Sequence, residues 1–81
     1  MTDRAYTIEC FWDSEAEVWV ATSEEVPGLA TGADTLDALI EKLKLVIPEL
    51  LEANGLIAPN EVGDVPFTVM AERHELAPRA A

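Results

Sequence analysis

The chain has 81 residues, of which 49% are apolar and 26% charged, and its 16 Asp and Glu against 5 Lys and Arg give a formal charge of −11. This length predicts one domain, residues 1–81, and the composition excludes a disordered chain. Direct binding to nucleic acid or to an anionic membrane is disfavoured, because it depends on Lys and Arg. The acidity favours a basic protein partner, although it also fits a simple role in solubility.

No apolar segment approaches the roughly 20 residues that a membrane span needs. Residues 1–4 are not followed by the apolar core of a signal peptide. Cys10 is the single cysteine, and one unpaired cysteine without an export signal is typical of the cytoplasm. The sequence therefore predicts a cytoplasmic protein.

Apolar and polar residues alternate with a period of two in residues 6–12 and in residues 18–22, which predicts two β-strands. A polar loop of about four residues separates them, so the strands form a hairpin. One pairing places Cys10 opposite Trp19. The sequence leaves this register open, and a slip of one residue would exchange the two faces of the second strand.

Pro27-Gly28 marks a turn after the hairpin, because proline fixes φ and glycine tolerates a positive φ. Residues 29–32 then form a short third strand or an extended approach to a helix. Alternation returns in residues 65–71, which predicts a last strand. Pro66, near its start, suits an edge position.

A long amphipathic helix is predicted after Asp34 and Thr35, since both are good N-cap residues, and Asn54-Gly55 supplies its stop. Its apolar residues follow the spacing of a single helix face. They are Leu36, Leu39, Ile40, Leu43, Val46, Ile47, Leu50 and Leu51. Pro48 lies within this pattern and predicts a kink, with a helix boundary as the alternative.

The order β-β-β-α-β predicts an α+β fold with one helix packed on one face of an antiparallel sheet of three to four strands. Because one helix covers one face only, the other face keeps apolar residues exposed, and such a patch often binds a partner. The predicted partner-binding residues are Phe11, Val18, Val20, Asp13, Glu15, Glu24 and Glu25. The alternatives are a solvated acidic rim and scattered surface apolar residues without function.

Few residues suit catalysis or metal binding. His74 is the only histidine. Cys10 lies two residues after Ile8, on the same face of the predicted strand, which is typical of a small buried residue rather than of a reactive thiol. The acidic residues follow no calcium-loop spacing, and the glycines form no phosphate-binding run. We therefore expect no enzymatic activity, no metal and no cofactor.

Several segments together resemble the HicB-like antitoxin superfamily, and the tryptophan-bearing second strand with residues 42–51 resembles its DUF1902 branch. The segments are residues 6–13, 18–23, 27–31, 34–36 and 38–39. The resemblance implies a partial ribonuclease-H-like fold over about residues 5–73 and a tendency to form homodimers or higher oligomers. It also implies binding to a small basic toxin, an mRNA interferase, whose active site the antitoxin covers. Many HicB antitoxins carry a C-terminal DNA-binding module, which residues 77–81 cannot form, so operator binding is not expected.

The sequence thus predicts an antitoxin-type protein-binding module. The alternative is an orphan homodimeric domain that has a structural or regulatory role and no toxin partner. A metal-dependent nuclease is a third hypothesis, and it would need a cluster of carboxylates that binds a divalent ion.

Overall fold

The computed structural model describes residues 5–59 and 63–80. The elements are, in chain order, β1 (Tyr6–Asp13), β2 (Val18–Thr22), β3 (Ala30–Ala33), α1 (Leu36–Ala53) and β4 (Phe67–Glu72). The predicted α+β class and the order β-β-β-α-β are confirmed. Residues 73–80, which we call the arm, follow β4; none belongs to a helix or strand, and all are exposed.

The sheet has the strand order β3-β2-β1-β4 and is mixed, so the prediction of an antiparallel sheet is wrong. β1 pairs antiparallel with β2, and β2 with β3, whereas β1 and β4 are parallel. The helix explains the difference. α1 carries the chain back between β3 and β4, and such a crossover gives the next strand the direction of the strand before it. β3 already runs parallel to β1, because both are antiparallel to β2.

The β1–β2 hairpin has a four-residue loop, as predicted, but its register differs by two residues from the pairing considered above. Cys10 lies opposite Ala21 rather than Trp19. The loop occupies residues 14–17, since the Asp13 carbonyl accepts a hydrogen bond from the Glu17 N–H at 2.7 Å and Glu17 adopts a φ of 58°. A shift of two residues leaves each side chain on its predicted face.

Helix α1 is continuous through Pro48, which excludes a boundary at that residue. Of the two predicted N-cap residues, Thr35 takes the role, because its hydroxyl accepts a hydrogen bond from the Ala38 N–H at 3.0 Å. Asn54 caps the other end, as predicted. The 18-residue helix is about 27 Å long, which is enough to cross the whole sheet.

The core lies between α1 and one face of the sheet, which we call the inner face. The helix, the strands and the loop after β2 all contribute buried residues to it. These are Leu39, Leu43, Ile47 and Leu51 of α1, Ile8, Cys10 and Ala21 of the strands, and Val26 and Leu29 of the loop. The helix residues are spaced by four, and the β1 residues by two, as their secondary structures require.

Candidate functional site

The sheet face opposite α1, which we call the outer face, has no helix over it among the described residues. Side chains alternate between the two faces along each strand, and the register shows which residues of neighbouring strands share the outer face. They are Thr7, Glu9, Phe11 and Asp13 of β1, Val18, Val20 and Thr22 of β2, Ala30 and Gly32 of β3, and Thr68, Met70 and Glu72 of β4.

The centre of the outer face is apolar. Phe11 lies opposite Val20 on one side and Glu72 on the other. The Phe11 side chain is 45% exposed and Met70 is 58% exposed, while Val18 and Val20 are half-buried. A shallow groove of about 510 Å³ runs between β1 and β4, lined by Phe11, Met70 and their neighbours. This arrangement offers a partner an apolar contact surface.

Carboxylates surround this centre. Glu9 and Glu72 line the same groove as Phe11 and Met70, and Asp13 ends β1 opposite Val18. Apolar residues ringed by charged ones are the usual composition of a protein–protein contact, in which the rim supplies specificity and speed of encounter. We define the outer patch as Phe11, Val18, Val20 and Met70 with the carboxylates of Glu9, Asp13 and Glu72.

Asp13 also shapes the hairpin turn. Its Oδ1 accepts hydrogen bonds from the Glu15 N–H at 3.0 Å and the Ala16 N–H at 3.2 Å, an arrangement typical of an aspartate that starts a turn. Glu15 itself is exposed in this turn. Both residues therefore lie at one end of the outer patch.

Glu24 and Glu25 lie at the other end of β2, so the structure does not join the seven predicted residues into one cluster. Four residue steps of β2, about 13 Å, separate Thr22 from Val18. Glu25 has a structural contact, since its Oε1 accepts a hydrogen bond from the Thr7 N–H at 2.7 Å. The Ser23 hydroxyl donates to the Thr7 carbonyl at 2.7 Å. These two side chains extend the β1–β2 ladder beyond the last residue of β2.

Sequence reasoning missed Met70, Glu72 and Glu9 as members of this surface. The alternation of β4 was visible, but the neighbour of β4 in the sheet was not. Once β4 adds to β1 in parallel, Met70 lies opposite Glu9 and Glu72 lies opposite Phe11. No local signal in the sequence reports that pairing, because it joins residues about 60 positions apart.

The residues considered for catalysis lie apart from each other. Cys10 is buried on the inner face, and this burial raises the pKa of its thiol, which disfavours the reactive thiolate. His74 is exposed in the arm. Within residues 5–59 and 63–80, no group of three or more His, Cys, Asp or Glu side chains is arranged to hold a metal ion. No helix in this part of the chain has the length and apolarity to span a membrane.

An aromatic cluster occupies the inner face beside the start of the arm. The Trp12 and Trp19 rings meet edge to face, with centroids 5.8 Å apart. The Arg73 guanidinium lies 4.0 Å from the centroid of the Trp12 ring, a favourable cation–π distance. Arg73 Nε also donates to the Glu75 carboxylate. These contacts position the first residues of the arm.

Residues 5–79 match the family model of DUF1902, described as a domain of unknown function. Among solved structures, the fold is similar to that of the hypothetical protein TTHA1013 from the extremely thermophilic bacterium Thermus thermophilus. The two chains are 41% identical, with a TM-score of 0.68, and the similarity covers 94% of this chain and 100% of that one. No curated protein is significantly similar to the chain.

Proposed function

The chain belongs to the DUF1902 family, and we propose that it is a protein-binding module of the HicB-like antitoxin type rather than an enzyme. Its partner would be a small basic protein, namely an mRNA-interferase toxin, and binding would cover the active site of the toxin. The observation that carries this proposal is the outer patch. It combines exposed apolar side chains with carboxylates on a face that no described helix covers.

The apolar centre supplies the energy of binding. Burial of apolar area contributes about 25 cal/mol per Å², and large side chains near the centre of an interface carry most of the affinity. Phe11 and Met70 are the largest exposed side chains of the patch, and they lie on the adjacent strands β1 and β4. We therefore expect Phe11 to be the main anchor for the partner.

Charge favours a basic partner. The chain has a net charge of −11, and Glu9, Asp13 and Glu72 lie on the outer face itself. Like-charged polyanions such as RNA are repelled, whereas a basic protein is drawn in, which raises the rate of encounter. Because a basic protein that acts on RNA needs cationic residues around its active site, an acidic surface is suited to covering that site.

The test is affinity capture from the native lysate at about 50 and 300 mM salt, where charge-driven pairing weakens as the Debye length falls. The partner is identified, purified and titrated against wild type, Phe11→Ala and the control Leu45→Ala. Leu45 is 72% exposed but lies on α1, away from the outer face. We expect the low-salt capture to recover a basic ribonuclease. Phe11→Ala should bind this protein at least tenfold more weakly than wild type does, and Leu45→Ala should bind it as tightly as wild type. Inhibition of the ribonuclease should follow the same order.

Two results would overturn this proposal. One is the absence of any basic protein from the low-salt capture. The other is equal affinity of Phe11→Ala and wild type for the captured protein, because the outer patch would then not be the binding surface.

A second candidate is an orphan homodimeric domain with a structural or regulatory role and no toxin partner. The exposed arm favours it, because all eight of its residues are exposed in the single chain. This candidate predicts that the tagged chain is recovered without a partner, as a stable dimer, at both salt concentrations.

A further inference from the structure

The outer edge of β4 is open. β4 is the terminal strand of the sheet in the order β3-β2-β1-β4, and no other strand of residues 5–59 and 63–80 pairs with it. An open edge presents unpaired backbone N–H and C=O groups to any strand that can reach them. The β4 edge is therefore a place where a further strand can add.

The hydrogen-bond pattern identifies which backbone groups face outward. Tyr6 lies opposite Phe67, and the Tyr6 N–H donates to the Pro66 carbonyl at 3.0 Å. In a parallel pair with this pattern, the even-numbered residues of β4 bond to β1. Phe67, Val69 and Ala71 therefore direct their N–H and C=O groups away from β1, to the open edge.

The arm continues from β4 with a length that matches this edge. Its eight residues can extend over about 26 Å, against about 20 Å for the six residues of β4. Every residue of the arm is exposed, and Leu76 is 83% exposed. The arm cannot fold back on its own β4 over much of its length, because a hairpin turn would use two to four of the eight residues.

The arm also differs in charge from the remainder of the chain. Arg73, Arg79 and Glu75 give it a net charge of +1; since the whole chain has −11, the other residues carry −12. Two whole chains of −11 repel each other at long range, so only the local positive charge of the arm favours contact with the acidic surface of a second copy. The length of the arm, together with its local charge, favours a second copy as the occupant of the open edge.

We propose that two copies of this chain join through antiparallel pairing of their β4 edges, each arm lying along β4 of the other copy. The interface is two-fold symmetric, as most homodimer interfaces are, and it creates one sheet of eight strands. Odd-numbered residues bond to odd-numbered residues, so Arg73, Glu75 and Ala77 meet, in that order, Ala71, Val69 and Phe67 of the second copy. Pro78 is even-numbered, and its missing N–H is not needed for this pairing.

Leu76 of the arm suits this pairing, whereas Glu72 lies opposite Glu72 of the second copy on the outer face, a like-charge pair that weakens the association. Alternation places Leu76 on the outer face, opposite Thr68 of the second copy and diagonal to its Met70, so its exposed surface becomes part of a larger apolar patch. The dimer leaves both copies of Phe11 open. It is therefore independent of the proposed binding of a basic partner, and failure of either proposal leaves the other standing.

The test measures the dimer dissociation constant by analytical ultracentrifugation for wild type and four variants. We expect a micromolar or tighter wild-type dimer and at least tenfold weaker association after deletion of residues 73–81. Glu75→Pro removes an outward N–H and should also weaken association at least tenfold. Glu75→Ala controls for loss of the carboxylate, and His74→Pro removes an N–H that faces away from the open edge. The dimer dissociation constants of both variants should stay within about threefold of the wild-type value.

Amide hydrogen exchange supplies the second readout, because it distinguishes this interface from any other. In the wild-type dimer the Val69 and Ala71 amides should be protected, and deletion of residues 73–81 should lower their protection at least tenfold. The Met70 amide bonds to β1 and should stay protected in both. A wild-type monomer at high micromolar concentration, a dimer that leaves Val69 and Ala71 unprotected, or equal weakening by His74→Pro and Glu75→Pro would each overturn the proposal.

Discussion

Neighbouring residues of β1 have opposite environments. Ile8 and Cys10 are buried beneath α1, whereas Phe11 is nearly half exposed on the outer face. The difference arises from the number of helices, not from hydrophobicity, because Phe11 is as apolar as Ile8. One helix can cover one face of a four-stranded sheet, so the inner face is closed and serves stability while the outer face stays exposed.

The largest expected effect compares these two faces on one strand. Ile8→Ala should lower the free energy of unfolding by about 2–5 kcal/mol, because it leaves a cavity under α1. Phe11→Ala should cost about 1 kcal/mol, since half of that side chain is already in water. Urea unfolding of both variants at low protein concentration measures the difference. Equal losses would mean that Phe11 is buried in solution and that the outer face is already occupied.

A second prediction concerns backbone packing on the outer face. A Cβ atom at Gly32 would lie 2.9 Å from the Trp19 carbonyl oxygen, and backbone atoms cannot easily move aside. Gly32→Ala should therefore destabilise the fold by about 1–3 kcal/mol. Ala30→Ser, on the same strand and face, should stay within about 0.5 kcal/mol. Thermal unfolding compares the two, and a neutral Gly32→Ala would show that β3 shifts freely against β2.

The smallest expected effect is a pH dependence of the free energy of unfolding that arises from Cys10 on the inner face. Burial raises the pKa of Cys10, so the folded protein holds the thiol proton more tightly than the unfolded chain does. The stability from this group is complete below the ordinary thiol pKa of about 8.5 and declines as the pH rises from there through the folded pKa. Urea unfolding between pH 7 and about pH 10 should show a steeper decline for wild type than for Cys10→Ala. Parallel curves would contradict the prediction.

The strands and the helix were predictable because their periods are local properties. The spacing of Leu39, Leu43, Ile47 and Leu51 indicates a helix, and all four are buried as that spacing requires. The alternation around Phe11 assigned it to the face away from the helix. Residue identity and spacing are sufficient for such assignments, because a side chain's face follows from its position along a regular element.

The hairpin register and the β4 partner were not predictable in the same way. A hairpin loop at residues 13–16 and one at residues 14–17 fit the alternation equally well. The hydrogen bonds from the Glu15 and Ala16 N–H groups to Asp13 favour the loop at residues 14–17. Glu25 was predicted as a binding residue from its charge alone. Its bond to Thr7 depends on where β2 ends and how the following loop turns.

Several properties of this protein follow from its amino-acid sequence without knowledge of the fold: it is an acidic α+β domain with one amphipathic helix, a hairpin, and more apolar residues than one helix can cover. Those properties depend on composition and on periods of a few residues. Three other properties become apparent in the folded chain alone: β4 adds to β1 in parallel, Met70 and Glu72 join Phe11 on the outer face, and no other described strand covers the β4 edge beside the cationic arm. Each of these depends on contacts between residues far apart in the chain, which become definite only when α1 returns the chain across the sheet.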